Sequence, residues 1–141
     1  CLVNVASGAG LLIQFDDAAK TVSKHGAVGF ADSLAVTHGD DGIQVCLVCQ
    51  QAVATRLIGI DEDNEKPNDD LNFGGIDIDG ILSSEYVADC ILGGIQDERF
   101  LVLPHPQVST YFRRKARDHD RWVQRMRRFR RRLGGDFREW D

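Results

Sequence analysis

Leu2-Val3-Asn4-Val5-Ala6 running into Ser7-Gly8-Ala9-Gly10, a stretch rich in small residues over positions 18–36, Gly39-Asp40-Asp41-Gly42, and the apolar run over positions 43–49 together decide the fold. The first run is short, apolar and β-branched and ends in glycines, so it predicts a strand entering a tight loop. Ala27, Phe30 with Ala31, and Leu34 then recur at helical spacing until the glycines of residues 39–42 stop them. Gly26 and Gly29 inside this helix each cost about 1 kcal/mol relative to alanine, which predicts a place where another backbone packs very close. The run from Ile43 to Cys49 has the length of a strand. Strand, helix and strand then make one βαβ unit, with parallel strands and a right-handed connection.

Working outward, residues 56–82 change character: Asp61-Glu62-Asp63-Asn64-Glu65-Lys66-Pro67-Asn68-Asp69-Asp70 and Gly74-Gly75 carry no sustained period. They read as a long loop, of a kind that often covers a site. Ser83 reads as an N-cap with Glu85 in the first turn, opening a helix to about Gln96 that places Val87, Cys90, Ile91 and Ile95 on one face. Phe100 to Leu103 predicts a third strand, closed by Pro104-His105-Pro106, and residues 107–117 and 121–133 predict two closing helices. This order is that of an α/β protein, an open parallel sheet with helices on both faces. Such sheets bind ligands at the carboxyl ends of their strands, where Ser7 and the segment after Cys49 would lie.

With 141 residues, 43% hydrophobic and 28% charged, the chain has material for one domain with a real core, which argues against disorder. No apolar run approaches the roughly 20 residues that span a bilayer, and no secretory leader is visible, so a cytoplasmic protein without a membrane partner is expected. Four cysteines without such a leader fit a reducing compartment. The only methionine is Met126, so Cys1 is not expected to be a translation start and the chain is expected to be a fragment. Residues 1–100 carry 5 basic and 17 acidic side chains, whereas residues 101–141 carry 12 and 5. A basic end beside an acidic body fits nucleic acid, an anionic surface or the chain's own carboxylates.

Several segments in order resemble the C-terminal half of a short-chain dehydrogenase/reductase: Asn4-Val5-Ala6-Ser7-Gly8-Ala9-Gly10-Leu11-Leu12; Thr21-Val22-Ser23-Lys24-His25 with Gly29-Phe30 and Ser33-Leu34; Gly42-Ile43; Val53-Ala54-Thr55; Leu82-Ser83; and Arg99-Phe100-Leu101-Val102-Leu103-Pro104-His105-Pro106. The resemblance spans residues 1–141 and implies a Rossmann-type, doubly wound parallel sheet, with residues 56–82 as the substrate loop and 107–133 as the C-terminal helices. It implies NAD or NADP as cofactor, a small-molecule alcohol or carbonyl as substrate, and a homodimer or homotetramer in the full-length protein. In that family a serine after the fifth strand orients the substrate oxygen, a tyrosine exchanges its proton, and a lysine four residues later lowers the tyrosine pKa and holds the nicotinamide ribose. Ser7 and Lys24 match the serine and the lysine, and Val53 and Thr55 match the loop that faces the nicotinamide.

The chemistry explains the pattern, because a hydride moving to or from a carbonyl carbon leaves charge on oxygen that a tuned phenol can neutralise. The i,i+4 spacing puts phenol and ammonium on one helical face. Here the tyrosine position is Lys20, so the acid is absent, and neither Tyr86 nor Tyr111 lies in a segment expected to reach Ser7. After Val48 the family has a proline and a glycine, whereas this chain reads Cys49-Gln50-Gln51-Ala52. The Gly-rich turn that seats a dinucleotide pyrophosphate is nowhere in these residues, so tight binding of NAD(P) by this chain alone is not expected.

No metal site is expected. Cys46 and Cys49 have CxxC spacing but point to opposite faces of a strand. Asp61, Asp63 and Glu65 imitate a calcium loop, yet Lys66 stands at its glycine and Asn72 at its closing glutamate. Trp122, Met126, Phe129 and Leu133 form an apolar helical stripe flanked by seven arginines, which reads as packing on the domain rather than as a nucleic-acid surface. The resemblance therefore implies an NAD(P)-dependent oxidoreductase fragment, with little catalysis of its own expected. The alternatives are a non-catalytic interaction module that dimerises through residues 18–36, or a nucleic-acid binder using its arginines.

Overall fold

The computed structural model describes residues 1–55 and 78–133. Three strands, β1 (Leu2–Val5), β2 (Val45–Val48) and β3 (Leu101–Val102), form a parallel sheet in the order β1-β2-β3. Leu2 pairs with Val45 and Val5 with Val48, and Val48 continues the ladder to Val102. Pairing runs past the strand ends, with the Ala6 N–H donating to the Val48 carbonyl at 2.9 Å and the Gly8 N–H to the Gln50 carbonyl at 2.7 Å.

The described residues form four α-helices, α1 (Ala18–His38), α2 (Ser84–Gln96), α3 (Gln107–Arg117) and α4 (His119–Arg132), the last packed on α3. Side chains alternate across a strand, so β2 feeds two cores. Val45, Leu47 and the following Cys49 pack with Ala31 of α1 and Val108 of α3, while Cys46 and Val48 pack with Val102 and with Cys90, Ile91 and Ile95 of α2. Helices α1 and α2 thus cover opposite faces of a parallel sheet, a Rossmann-like α/β arrangement. With strands in this order, the two crossovers have opposite hands, one of them the hand that parallel units rarely adopt.

Helix α1 starts where the Asp17 carboxylate accepts from the Lys20 N–H at 2.7 Å, α2 where the Ser83 hydroxyl accepts from the Tyr86 N–H, and α4 where Asp118 accepts from the Arg121 N–H at 2.9 Å. Asp118 alone separates α3 from α4, fewer residues than the sequence implies. Another expectation is overturned. Gly26 and Gly29 meet no other group among the described residues, because α1 turns Ala27, Val28, Ala31 and Leu34 to the sheet and these glycines outward. The close approaches are at Gly10, where an added Cβ would lie 2.5 Å from the Lys24 carbonyl, and at Gly94, where it would collide with Val102. The substrate loop and calcium-like run, apart from residues 78–82, lie outside the described residues. Among the described residues no helix is long and apolar enough to cross a membrane.

Candidate functional site

Ser7 ends the extended segment after β1 and caps a 3-10 turn (Gly8–Gly10). Its hydroxyl accepts from the Ala9 N–H at 3.2 Å and lies 3.5 Å from the Gln50 carbonyl, a long contact that a better acceptor would displace. The turn docks on α1 through Gly10, which packs on the Lys24 backbone and Val28. Lys20 and Lys24 are one helical turn apart on α1, near its start and therefore near the carboxyl ends of the strands.

Cys49 is buried just past β2, beside the Ser7 backbone. Burial pushes its thiol up to about 11; the Ser7 backbone N–H pulls it down, Asp32 raises it, and the Lys24 ammonium lowers it. The structure thus brings the Ser7 turn and the Lys24 segment of α1 to one place at the carboxyl edge of the sheet. Val53 lies further along the β2 exit, in a parallel bridge with Leu82, and the exposed Thr55 hydroxyl donates back to the Val53 carbonyl at 3.3 Å.

Three features could not be read from the sequence, because each joins residues distant along the chain. The His105 ring is buried and bridges two loops, with Nδ1 accepting from the Gln51 N–H at 3.1 Å and Nε2 3.2 Å from the Gly80 carbonyl. The Asp79 carboxylate accepts from the Tyr111 hydroxyl at 2.8 Å and from Gln51 Nε2 at 2.6 Å. Burial raises the Tyr111 pKa, the Asp79 hydrogen bond and charge raise it further, and Arg114 opposes them. Lys115 donates to the Leu11 and Leu12 carbonyls at 2.9 and 3.1 Å and sits 5.1 Å from the centre of the Trp122 ring; burial lowers its pKa.

Beyond Gln51, a cavity of about 800 Å³ opens between the β1 exit and helices α3 and α4. Phe15, Trp122, Met126 and Phe129 supply its apolar wall and Tyr111 and Asp79 its polar corner. None of Ser7, Lys20, Lys24, Val53 or Thr55 lines it.

Does the site suit a nicotinamide cofactor? Gln50 Oε1 at the β2 exit is buried without a donor among the described residues, so this end can receive a group with an N–H to give, such as a carboxamide. Among the described residues, the glycine turn after β1 offers no free N–H groups to a pyrophosphate. The N–H groups of Gly8, Ala9, Gly10 and Leu11 are all spent on Gln50 and on the turn itself, and the Gly8 and Gly10 Cα atoms are covered by Gln51 and Lys24.

Among solved structures, the chain is similar to a short-chain dehydrogenase from Sphingobium yanoikuyae in complex with NADPH, with a TM-score of 0.56 and 18% identity. The likeness covers 99% of this chain and 46% of that one, so the chain spans about half the length of the protein it matches. What is shared at this identity is the fold, a dehydrogenase-like α/β arrangement. No protein-family model matches the sequence, and no curated protein does.

Proposed function

We propose that the chain forms the C-terminal, substrate-side half of an NAD(P)-dependent short-chain oxidoreductase acting on a small alcohol or carbonyl compound, and that Lys20 leaves it catalytically impaired. The observation that carries this reading is the packing of the Ser7 turn, through Gly10, on the Lys24 backbone of α1 at the carboxyl edge of a parallel sheet. The fold likeness supports it. In this reading the Ser7 hydroxyl gives up its long contact with Gln50 to orient the substrate oxygen, and Lys24 holds the ribose. Val53 and Thr55 line the nicotinamide end, with the Gln50 amide as a further acceptor there. The nicotinamide, when bound, supplies or takes up the hydride.

Proton delivery to the oxygen falls to no suitable group, because an ammonium at position 20 lacks the geometry of a phenol. The experiment is a turnover assay, with NADH and NADPH and a panel of aldehydes, ketones and alcohols, on the full protein carrying this chain. Lys20→Tyr is expected to raise turnover at least a hundredfold over the unmodified protein, within the roughly 10²–10⁴-fold that a positioned acid supplies. Equal inactivity of both would favour a second reading, a non-catalytic module that associates with itself through α1. Its motivation is the outward face of that helix, where Val22, Phe30 and Val36 are 72%, 61% and 87% exposed.

A further inference from the structure

The cavity beside α3 and α4 is bordered by four arginines, Arg114, Arg117, Arg121 and Arg125, and none of them makes an ion pair among the described residues. Other arginines of the chain do find acids, Arg130 with Asp16 and Arg99 with Asp97. The two carboxylates on the cavity wall are already engaged. Asp79 is held by Tyr111 and Gln51, and Asp118 caps α4. Four guanidiniums therefore face two occupied acids, and Arg121 and Arg125, one turn apart on α4, repel each other mildly. Beneath them lies the apolar wall of Trp122, Met126 and Phe129, the last ring 5.9 Å from that of Phe15. A volume of about 800 Å³ is in the range of small-molecule sites, which are apolar inside with a few placed polar groups.

We propose that this cavity binds an amphipathic anion, with its hydrocarbon or aromatic body against Trp122, Met126 and Phe129 and a carboxylate or phosphate head on the Arg121–Arg125 side. Guanidinium forks match both head groups in geometry and charge. The apolar wall accounts for a body that free phosphate lacks, and the arginines, without an ion pair among the described residues, account for a head that a neutral lipid lacks. Ser7, Lys20, Lys24, Val53 and Thr55, on which the hydride-transfer reading rests, do not line it, although Ile78 and Asp79 belong to the segment which that reading gives to the substrate.

The test is calorimetric titration of the 141-residue chain, without nicotinamide, with dodecanoate, dodecyl phosphate, 1-dodecanol and inorganic phosphate. One of the two amphipathic anions should bind at least about tenfold more tightly than dodecanol, since a charge-assisted hydrogen bond is worth roughly 1.5–3 kcal/mol. The tighter of the two identifies the head group. The double substitution Arg121→Gln with Arg125→Gln should remove that advantage and leave dodecanol binding unchanged. The same charge loss on the outward face, Arg127→Gln with Arg128→Gln, should leave every affinity unchanged. Dodecanol binding as well as the anions, inorganic phosphate binding as well as dodecyl phosphate, or equal loss in the two double variants would each overturn the proposal.

Discussion

Cys49 shows how much one buried side chain sets the conditions under which this site holds together. Its thiol titrates near 9 in an unfolded chain and at about 11 here, so the folded state keeps its proton longer. Burial of the neutral thiol leaves stability unchanged below pH 9, and the cost of a buried thiolate lowers it as pH climbs from 9 to about 11. Lys115 acts oppositely, because its lowered pKa makes stability rise with pH below 10.5. Urea midpoints at pH 8.5 and 10.5 separate the two: Cys49→Ala should lose less stability over this interval than the unmodified chain. Two glycines make a second residue-scale contrast. Gly10→Ala places a methyl against the Lys24 carbonyl and should cost about 1–3 kcal/mol, whereas Gly26→Ala fills open space on a helix and should gain up to about 1 kcal/mol. Both effects are read from the unfolding midpoint. The sequence marks every one of these glycines but not which faces a neighbour, since small residues line α1 on both sides and only packing settles its rotation.

At the scale of elements, local chemistry was legible and distant cross-links were not. Ser83 announces the start of α2 through a bond to a residue three positions away, and such spacing is visible in any sequence. His105 instead serves Gln51, 54 residues earlier, and Lys115 serves Leu11, 104 residues earlier; neither partner is implied by its neighbours. His105→Leu keeps much of the bulk but strands the Gln51 N–H and the Gly80 carbonyl. The expected cost is about 1–3 kcal/mol by urea denaturation, together with faster amide exchange in residues 50–54. The apolar stripe of α4 was legible from its period, and Trp122, Met126 and Phe129 do face inward. That they wall a cavity with arginines on its rim was hidden, because the opposite wall comes from Phe15 and the β1 exit.

For the whole molecule, the alternation of strands and helices specified a parallel sheet with helices on both faces, and the sheet β1-β2-β3 has that form. The opposite hands of its crossovers were not legible, because the connection rule favours one hand and the sequence carries no mark of the exception. Strand β1, with Leu2 and Val5 half exposed, is an edge of the described sheet. Hydride-transfer chemistry on this frame turns on three positions: Ser7, Lys24, and Lys20 standing where a phenol would act. Its most direct test is the turnover of the full protein with Lys20→Tyr, alone and combined with Ser7→Ala or with Lys24→Met. The first change is expected to raise turnover at least about a hundredfold, most of the gain being abolished by either second change. No gain, or a gain indifferent to Ser7 and Lys24, would contradict it.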